Sequence, residues 1–312
     1  MKVAALAGGV GGAKLAHGLA LVLPPDDLTI IVNTGDDFEH LGLSISPDLD
    51  TVMYTLAGLA NPATGWGQTG ESWNFLQALE RLGGETWFRL GDRDLATHLE
   101  RTRRLAAGAT LTEVTAALSS ALGVGPRVLP MTDGHLRTVV TTADGPLAFQ
   151  EYFVHQQCRP RVTGFVFDTD DQAYPTSQVL AALEQAELIV ICPSNPFVSI
   201  GPILALHGVR EQLQRRPVLA VTPIVGGQAI KGPAAKMLSE LGLEVSPVAV
   251  ARYYAGLLDG FVLDALDAGL AQQVAHAVAG ADLRVAVADT IMRTDSDRAR
   301  LARDVLDFAN LS

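Results

Sequence analysis

Four glycines in five residues, Gly8-Gly9-Val10-Gly11-Gly12, follow directly on the short apolar run of residues 2–7. Neither a helix interior nor a strand interior tolerates that density of glycine, so the chain must turn sharply there. Residues 13–23 then carry helical composition, with Leu15, Leu19 and Val22 on one face. After Pro24-Pro25 comes the run LTIIV at 28–32, β-branched and apolar throughout, as expected of a strand buried on both faces of a parallel sheet. Strand, glycine turn, helix and strand in this order predict a βαβ unit, and that unit restricts the rest of the chain to α/β architectures.

The second half of the sequence repeats the alternation. Strand patterns at 186–192, 217–222, 261–263 and 283–288 are separated by helical patterns at 201–213, 233–241 and 270–278, and a last helix is expected at 296–308. Between the halves, LDTVMYTLAGLA, ESWNFLQALERLG, RDLATHLERTRRLAAG and LTEVTAALSSALG read as four helices, with one short strand at 86–90. The stretch RTVVTTADGPLAFQEYFV reads as a hairpin turning at Ala143-Asp144-Gly145-Pro146. The expectation is one α/β domain over 1–312, a doubly wound, mostly parallel, Rossmann-like sheet with a helical subdomain inserted at about 49–125.

Charge narrows the partners. A formal net charge of −11 offers no basic field for nucleic acid. Arg101, Arg103 and Arg104 form the one short basic run, read as a solvated helix face. Phosphate handled by so acidic a chain must be met by backbone N–H groups, a few cations, or a divalent metal held on carboxylates. No apolar stretch reaches about 18 residues, so no membrane span is expected. The glycine cluster also interrupts what would otherwise resemble a signal peptide. Two cysteines without metal-ligand spacing, Cys158 and Cys192, fit reduced thiols and a cytoplasmic location.

In open α/β sheets ligands bind beyond the carboxyl ends of the strands, and the polar loops fall there. The glycine turn, with Lys14 beyond it, presents N–H groups to an anion, or else serves only close packing. It is neither a Walker A loop nor a G-x-G-x-x-G turn, since Leu15 and Lys14 hold the deciding positions. Asn33-Thr34-Gly35-Asp36-Asp37 closes the second strand, and Asp48 and Asp50 follow in ISPDLD; this cluster suggests Mg²⁺, with helix capping as the plainer use. CPSNPFVSIGP, carrying Ser194, Asn195 and Ser199, and TPIVGGQAIKGP, carrying Lys231, occupy the ends of two later strands.

These same stretches carry a resemblance. GGVGGAKL, NTGDD, GLSISPDLDTVMYTLAGL, FQEYFV, ICPSNPFVSIGPIL and VTPIVGGQAIKGPAAKML together resemble the 2-phospho-L-lactate transferase family of coenzyme F420 biosynthesis, over residues 2–238. The resemblance implies a guanosine diphosphate-linked donor carrying a small acid, and an acceptor hydroxyl on the deazaflavin Fo. It also implies release of GMP, a requirement for Mg²⁺ and a homodimer. It places Fo near Asp50 and Arg89. On this footing Asp36, Asp37 and Asp50 are the candidates for metal binding and catalysis. Gly9, Gly11, Gly12, Lys14, Ser194, Asn195 and Lys231 are the candidates for the donor. Trp66, Trp73 and Trp87 are flat partners for a deazaflavin, or else core anchors. His17, His40, His98 and His135 show no triad or metal spacing and read as satisfied or exposed. The alternative is a sugar-nucleotide-binding regulatory protein of a related family, sharing the glycine-rich start and the paired acids.

Overall fold

The computed structural model describes residues 1–170, 173–277 and 283–310. Seven strands form the central sheet: β1 (Val3–Ala7), β2 (Leu28–Val32), β3 (Arg127–Pro130), β4 (Leu188–Ile191), β5 (Val218–Val221), β6 (Gly260–Asp264) and β7 (Arg284–Ala288). Every neighbouring pair is parallel, in the order β7-β6-β5-β4-β1-β2-β3. The order reverses between β1 and β4, and such a switch point opens a crevice at the strand ends. Alternate residues feed two cores: Ala4, Leu6, Ile31, Ile189 and Ile191 face one layer, and Val3, Ala5, Ile30, Val32 and Val190 the other. Burial on both faces is why these strands read as unbroken apolar runs.

Helix α1 (Gly9–Val22) follows β1 directly. Between β2 and β3 lie α2 (Pro47–Leu56), α3 (Asn74–Arg81), α4 (Asp92–Ala106) and α5 (Leu111–Ala121), the four helices read from the sequence. A small hairpin, Phe38–His40 with Leu43–Ile45, precedes them and was not expected. A separate three-stranded antiparallel sheet contains the expected hairpin, with Thr142 paired to Gly145 across the Ala143-Asp144 turn.

Three expectations need correction. Residues 86–90 form no strand; Phe88 and Trp87 instead pack edge-on against Phe38 and His40, so ring contacts rather than a ladder hold the segment. The return strand of the hairpin stops at Ala148, and Glu151–His155 winds into a π-helix that buries Tyr152 and stacks Phe149 on Phe153. The helix expected over 201–213 is broken into Gly201–Ala205 and Val209–Leu213 by left-handed Gly208. Val278, the expected end of another helix, lies outside the described residues.

Candidate functional site

A cavity of about 570 Å³ opens at the carboxyl ends of the central strands. Its walls come from the turn after β1, from α2 and α4 of the insertion, from the π-helical segment, and from the loops after β4 and β5. Gly9, Gly11, Lys14, Asp36, Asp50, Arg89, Ser194, Asn195 and Lys231 all line it. Gly12 and Asp37 do not.

The glycine turn is shaped by its neighbours. Gly9 sits at φ +61°, a left-handed conformation costly for any side chain, and its N–H donates to Asp48 Oδ1 at 2.8 Å. A Cβ on Gly11 would lie 2.3 Å from the Pro193 carbonyl oxygen, so only glycine lets the turns after β1 and β4 meet. Ser194 ties them together: Gly8 N–H donates to its Oγ at 3.2 Å, and that hydroxyl donates to Gly8 O at 2.9 Å. Gly12 is needed here for packing, since its Cβ would meet Ser194 Oγ at 2.3 Å. What remains open is the start of α1, whose first-turn N–H groups have no intrahelical partner and whose dipole favours an anion. Lys14 Nζ lies near this end, donating to Met292 O at 2.8 Å. Burial, with the charges of Arg298 and Lys231, lowers its pKa. Lys231 Nζ, more exposed, donates to Thr64 O at 3.1 Å.

The acids divide into two groups. Asp36 and Asp48, both buried, face the cavity together. Burial first, and the charge of Asp48 second, hold the Asp36 carboxyl well above the usual range. Asp36 Oδ1 has no hydrogen-bond partner. Asn33 Nδ2 donates to Asp48 Oδ2 at 2.9 Å, and burial raises the Asp48 carboxyl despite that bond. Two desolvated carboxyls that raise one another are relieved by a proton or by a cation, and hard oxygen donors suit Mg²⁺. Asp37 turns away, accepting from Ser46 Oγ at 2.8 Å; burial pushes it up to about 7 against the charge of Arg137.

Asp50 belongs to the second group. Arg101, 1% exposed, grips it as a fork: Nη1 donates to Oδ2 at 3.1 Å and Nη2 to Oδ1. His98 Nδ1 lies 3.1 Å from Arg101 Nη1, and His98 Nε2 lies 3.4 Å from Asp94 Oδ1. Tyr54 Oη donates to Asp94 Oδ1 at 2.8 Å. Asp50, Asp94 and His98 are the one trio of metal-type ligands within 4.8 Å of each other among the described residues. Arg101 already occupies Asp50 and His98 Nδ1, however, so this trio is a poor cation site. Asp36 and Asp50 line the cavity with Asp48, whereas Asp37 does not, and Asp36, Asp37 and Asp50 form no ligand trio within 4.8 Å among the described residues.

Arg101 also corrects the reading of the basic run. Arg103 and Arg104 pair with Glu100 at the surface, as expected, whereas Arg101 is buried. Asp94, His98 and Arg101 stand at i, i+4 and i+7 of α4, one face of a helix, and that spacing was the available signal. His98, read as an ordinary histidine, is part of the cavity wall. The far wall is aromatic and apolar: Trp66, Phe88, Phe149, Phe153 and Ile230 line it. Of the tryptophans, Trp66 alone borders this cavity. Trp73 lies under the Arg89 guanidinium at 4.6 Å, and Trp87 stacks on His155 at 5.1 Å.

The profile of the 2-phospho-L-lactate transferase CofD family matches residues 3–299. A phosphoenolpyruvate transferase of Streptomyces griseus is 44% identical over 99% of this chain and 98% of its own. A 2-phospho-L-lactate transferase of Methanosarcina acetivorans is 40% identical over 96% of this chain and 97% of its own. Among solved structures, a Bacillus halodurans protein of the UPF0052 family superposes with a TM-score of 0.62, covering 98% of both chains at 15% identity, a likeness of fold alone. The glycine turn, the paired acids and the ISPDLD helix all fall inside the matched span, and the chain belongs to the 2-phospho-L-lactate transferase CofD family.

Proposed function

We propose that this protein transfers a phospholactyl or phosphoenolpyruvyl group from a guanosine diphosphate-linked donor to a hydroxyl of the deazaflavin Fo, releasing GMP. One observation carries the reading: a single cavity joins an anion-binding end to an aromatic end, and one turn of α2 serves both. Asp48, in that turn, bonds the glycine turn at the anion end, while Asp50 engages α4 of the insertion. The donor's phosphates lie at the start of α1, with Lys14, Lys231, Ser194 and Asn195 around them. Asp36 and Asp48 hold Mg²⁺, which when bound spreads the negative charge of the phosphate oxygens.

The reaction asks little covalent work of the chain. The Fo hydroxyl oxygen forms a bond to the phosphorus that carries the small acid, and the bond from that phosphorus to the bridging oxygen breaks, leaving GMP. The chain's part is to hold the two ends in line and to receive or orient the hydroxyl proton. Asp50 serves that end. Arg101 fixes its plane, and each carboxylate oxygen keeps a second lone pair for the hydroxyl. Arg89 and the rings of Trp66, Phe88 and Phe153 hold the flat acceptor.

Fluorescence titration of Fo, with and without Mg²⁺ and GDP, tests this reading. Saturable binding is expected, together with GMP release when donor is added. Asp50→Asn, checked to be folded, should retain donor binding and lose transfer. A nucleotide-binding protein that takes up a UDP-sugar and ignores Fo would overturn the proposal.

A further inference from the structure

We infer that His98 is a positioning residue that sets the Arg101 fork on Asp50, and so sets the carboxylate that meets the acceptor. The inference rests on the reading of Asp50 given above. It deepens that reading by assigning a role to a side chain of the cavity wall.

The argument starts from what Arg101 can do. A guanidinium has no acceptor and does not lose its proton in a protein, so the 3.1 Å contact from Arg101 Nη1 requires a lone pair on His98 Nδ1. With Nδ1 unprotonated, the imidazole proton sits on Nε2, which lies 3.4 Å from Asp94 Oδ1 and makes no hydrogen bond. The tautomer is therefore set by Arg101 at Nδ1. Arg101 donates to both His98 Nδ1 and Asp50, and Tyr54 Oη donates to Asp94, beside the His98 ring. All five groups are buried, with His98 at 2% exposed, which strengthens each hydrogen bond among them.

Geometry explains why such a brace is useful. Arg101 is a long side chain with many rotamers, and Ser44 O, 3.4 Å from Nη1, is the other acceptor near its fork. Removing the Nδ1 lone pair leaves one buried guanidinium N–H with only that distant partner, and the fork is free to tilt. Asp50 would tilt with it, because both its oxygens are held by the same guanidinium. Misplacement of a group in the reacting pair lowers turnover far more than it lowers ground-state binding. Donor binding, at the glycine turn, is not touched.

Two measurements decide. The first is the ¹⁵N spectrum of histidine-labelled protein, with the His98 signals identified by their loss in His98→Phe, or in His98→Gln should the first fail to fold. A neutral imidazole protonated on Nε2 is expected; a proton on Nδ1 would overturn the inference. The second is steady-state kinetics of transfer to Fo. His98→Phe keeps the ring volume and removes both nitrogens, and should lower kcat about tenfold or more while KM for the donor stays within about twofold. His98→Asn restores an acceptor near the Nδ1 position and should recover most of the loss. Full kcat in His98→Phe, or no recovery in His98→Asn, would sink the positioning role. Failure of the underlying functional reading looks different: the unaltered protein would not transfer to Fo at all, whatever its tautomer.

Discussion

At the scale of single residues, the site is built from acids that are uncomfortable when ionised. Asp37 is the clearest, because it is buried, does not reach the cavity, and is pushed up to about 7 by burial against the Arg137 charge and the Ser46 hydrogen bond. A carboxyl with a raised folded pKa binds its proton more tightly folded than unfolded. It adds nothing below the unfolded value near 3.8, destabilises progressively between about pH 4 and 7, and exerts its full penalty above that. Asp37→Asn keeps the shape and an acceptor for Ser46 while removing the titration. The variant should gain stability over the unaltered protein as pH rises from 5 to 8, by at most about 3 kcal/mol. Urea unfolding of both at the two pH values checks this. A difference that stays flat or falls with pH would mean that Asp37 is not held protonated by burial.

At the scale of elements, the meeting of the turns after β1 and β4 sets the anion-binding end. Gly11→Ala drives a methyl group against the Pro193 carbonyl, a backbone atom that cannot rotate aside. The turns must separate, at a cost of about 1–3 kcal/mol, and the start of α1 shifts from its place beside Ser194. Lower melting temperature together with weakened GDP binding is expected; calorimetry and titration of one sample give both, and undiminished GDP binding would show that this contact does not shape the site. Much of this level was legible in the sequence. Strands buried on both faces announce themselves as apolar runs, and glycine clusters mark turns that side chains cannot enter. The ISPDLD helix and the four loops followed from their position after strands. What escaped was set by contacts between distant segments. The π-helix at Glu151–His155 depends on Trp87 and Tyr152 finding their places, and local pattern favours a hairpin arm there. Arg101 escaped because two surface neighbours, Arg103 and Arg104, disguised it; its face of α4, shared with Asp94 and His98, and its partner Asp50, 51 residues earlier, set it apart. Asp37 and Asp36 are adjacent in sequence and cannot be told apart until Ser46 and Asp48 choose between them.

For the whole molecule, no segment owns the cavity. The β1 turn, the insertion, the π-helical segment and the loops of the second half each supply one wall, and Lys231 reaches back to Thr64 across 167 residues. Ligands that fill such a cavity tie the halves together, so their binding free energy appears as stability of the folded chain. GDP at about a hundred times its dissociation constant should contribute about 2.7 kcal/mol, a rise of roughly 4 °C in the melting temperature of a chain this long. Adding Mg²⁺ with GDP should raise it further, since a cation between Asp36 and Asp48 relieves their repulsion and meets the phosphates. The two acidic groups make opposite forecasts for that second increment. If the cation belongs to Asp36 and Asp48, Asp48→Asn abolishes the Mg²⁺-dependent rise and Asp94→Asn leaves it. If it belongs to the trio of Asp50, Asp94 and His98, the pattern inverts. The buried guanidinium of Arg101 beside Asp50 favours the first outcome: with a cation already paired there, a second would meet repulsion where Asp36 and Asp48 offer attraction.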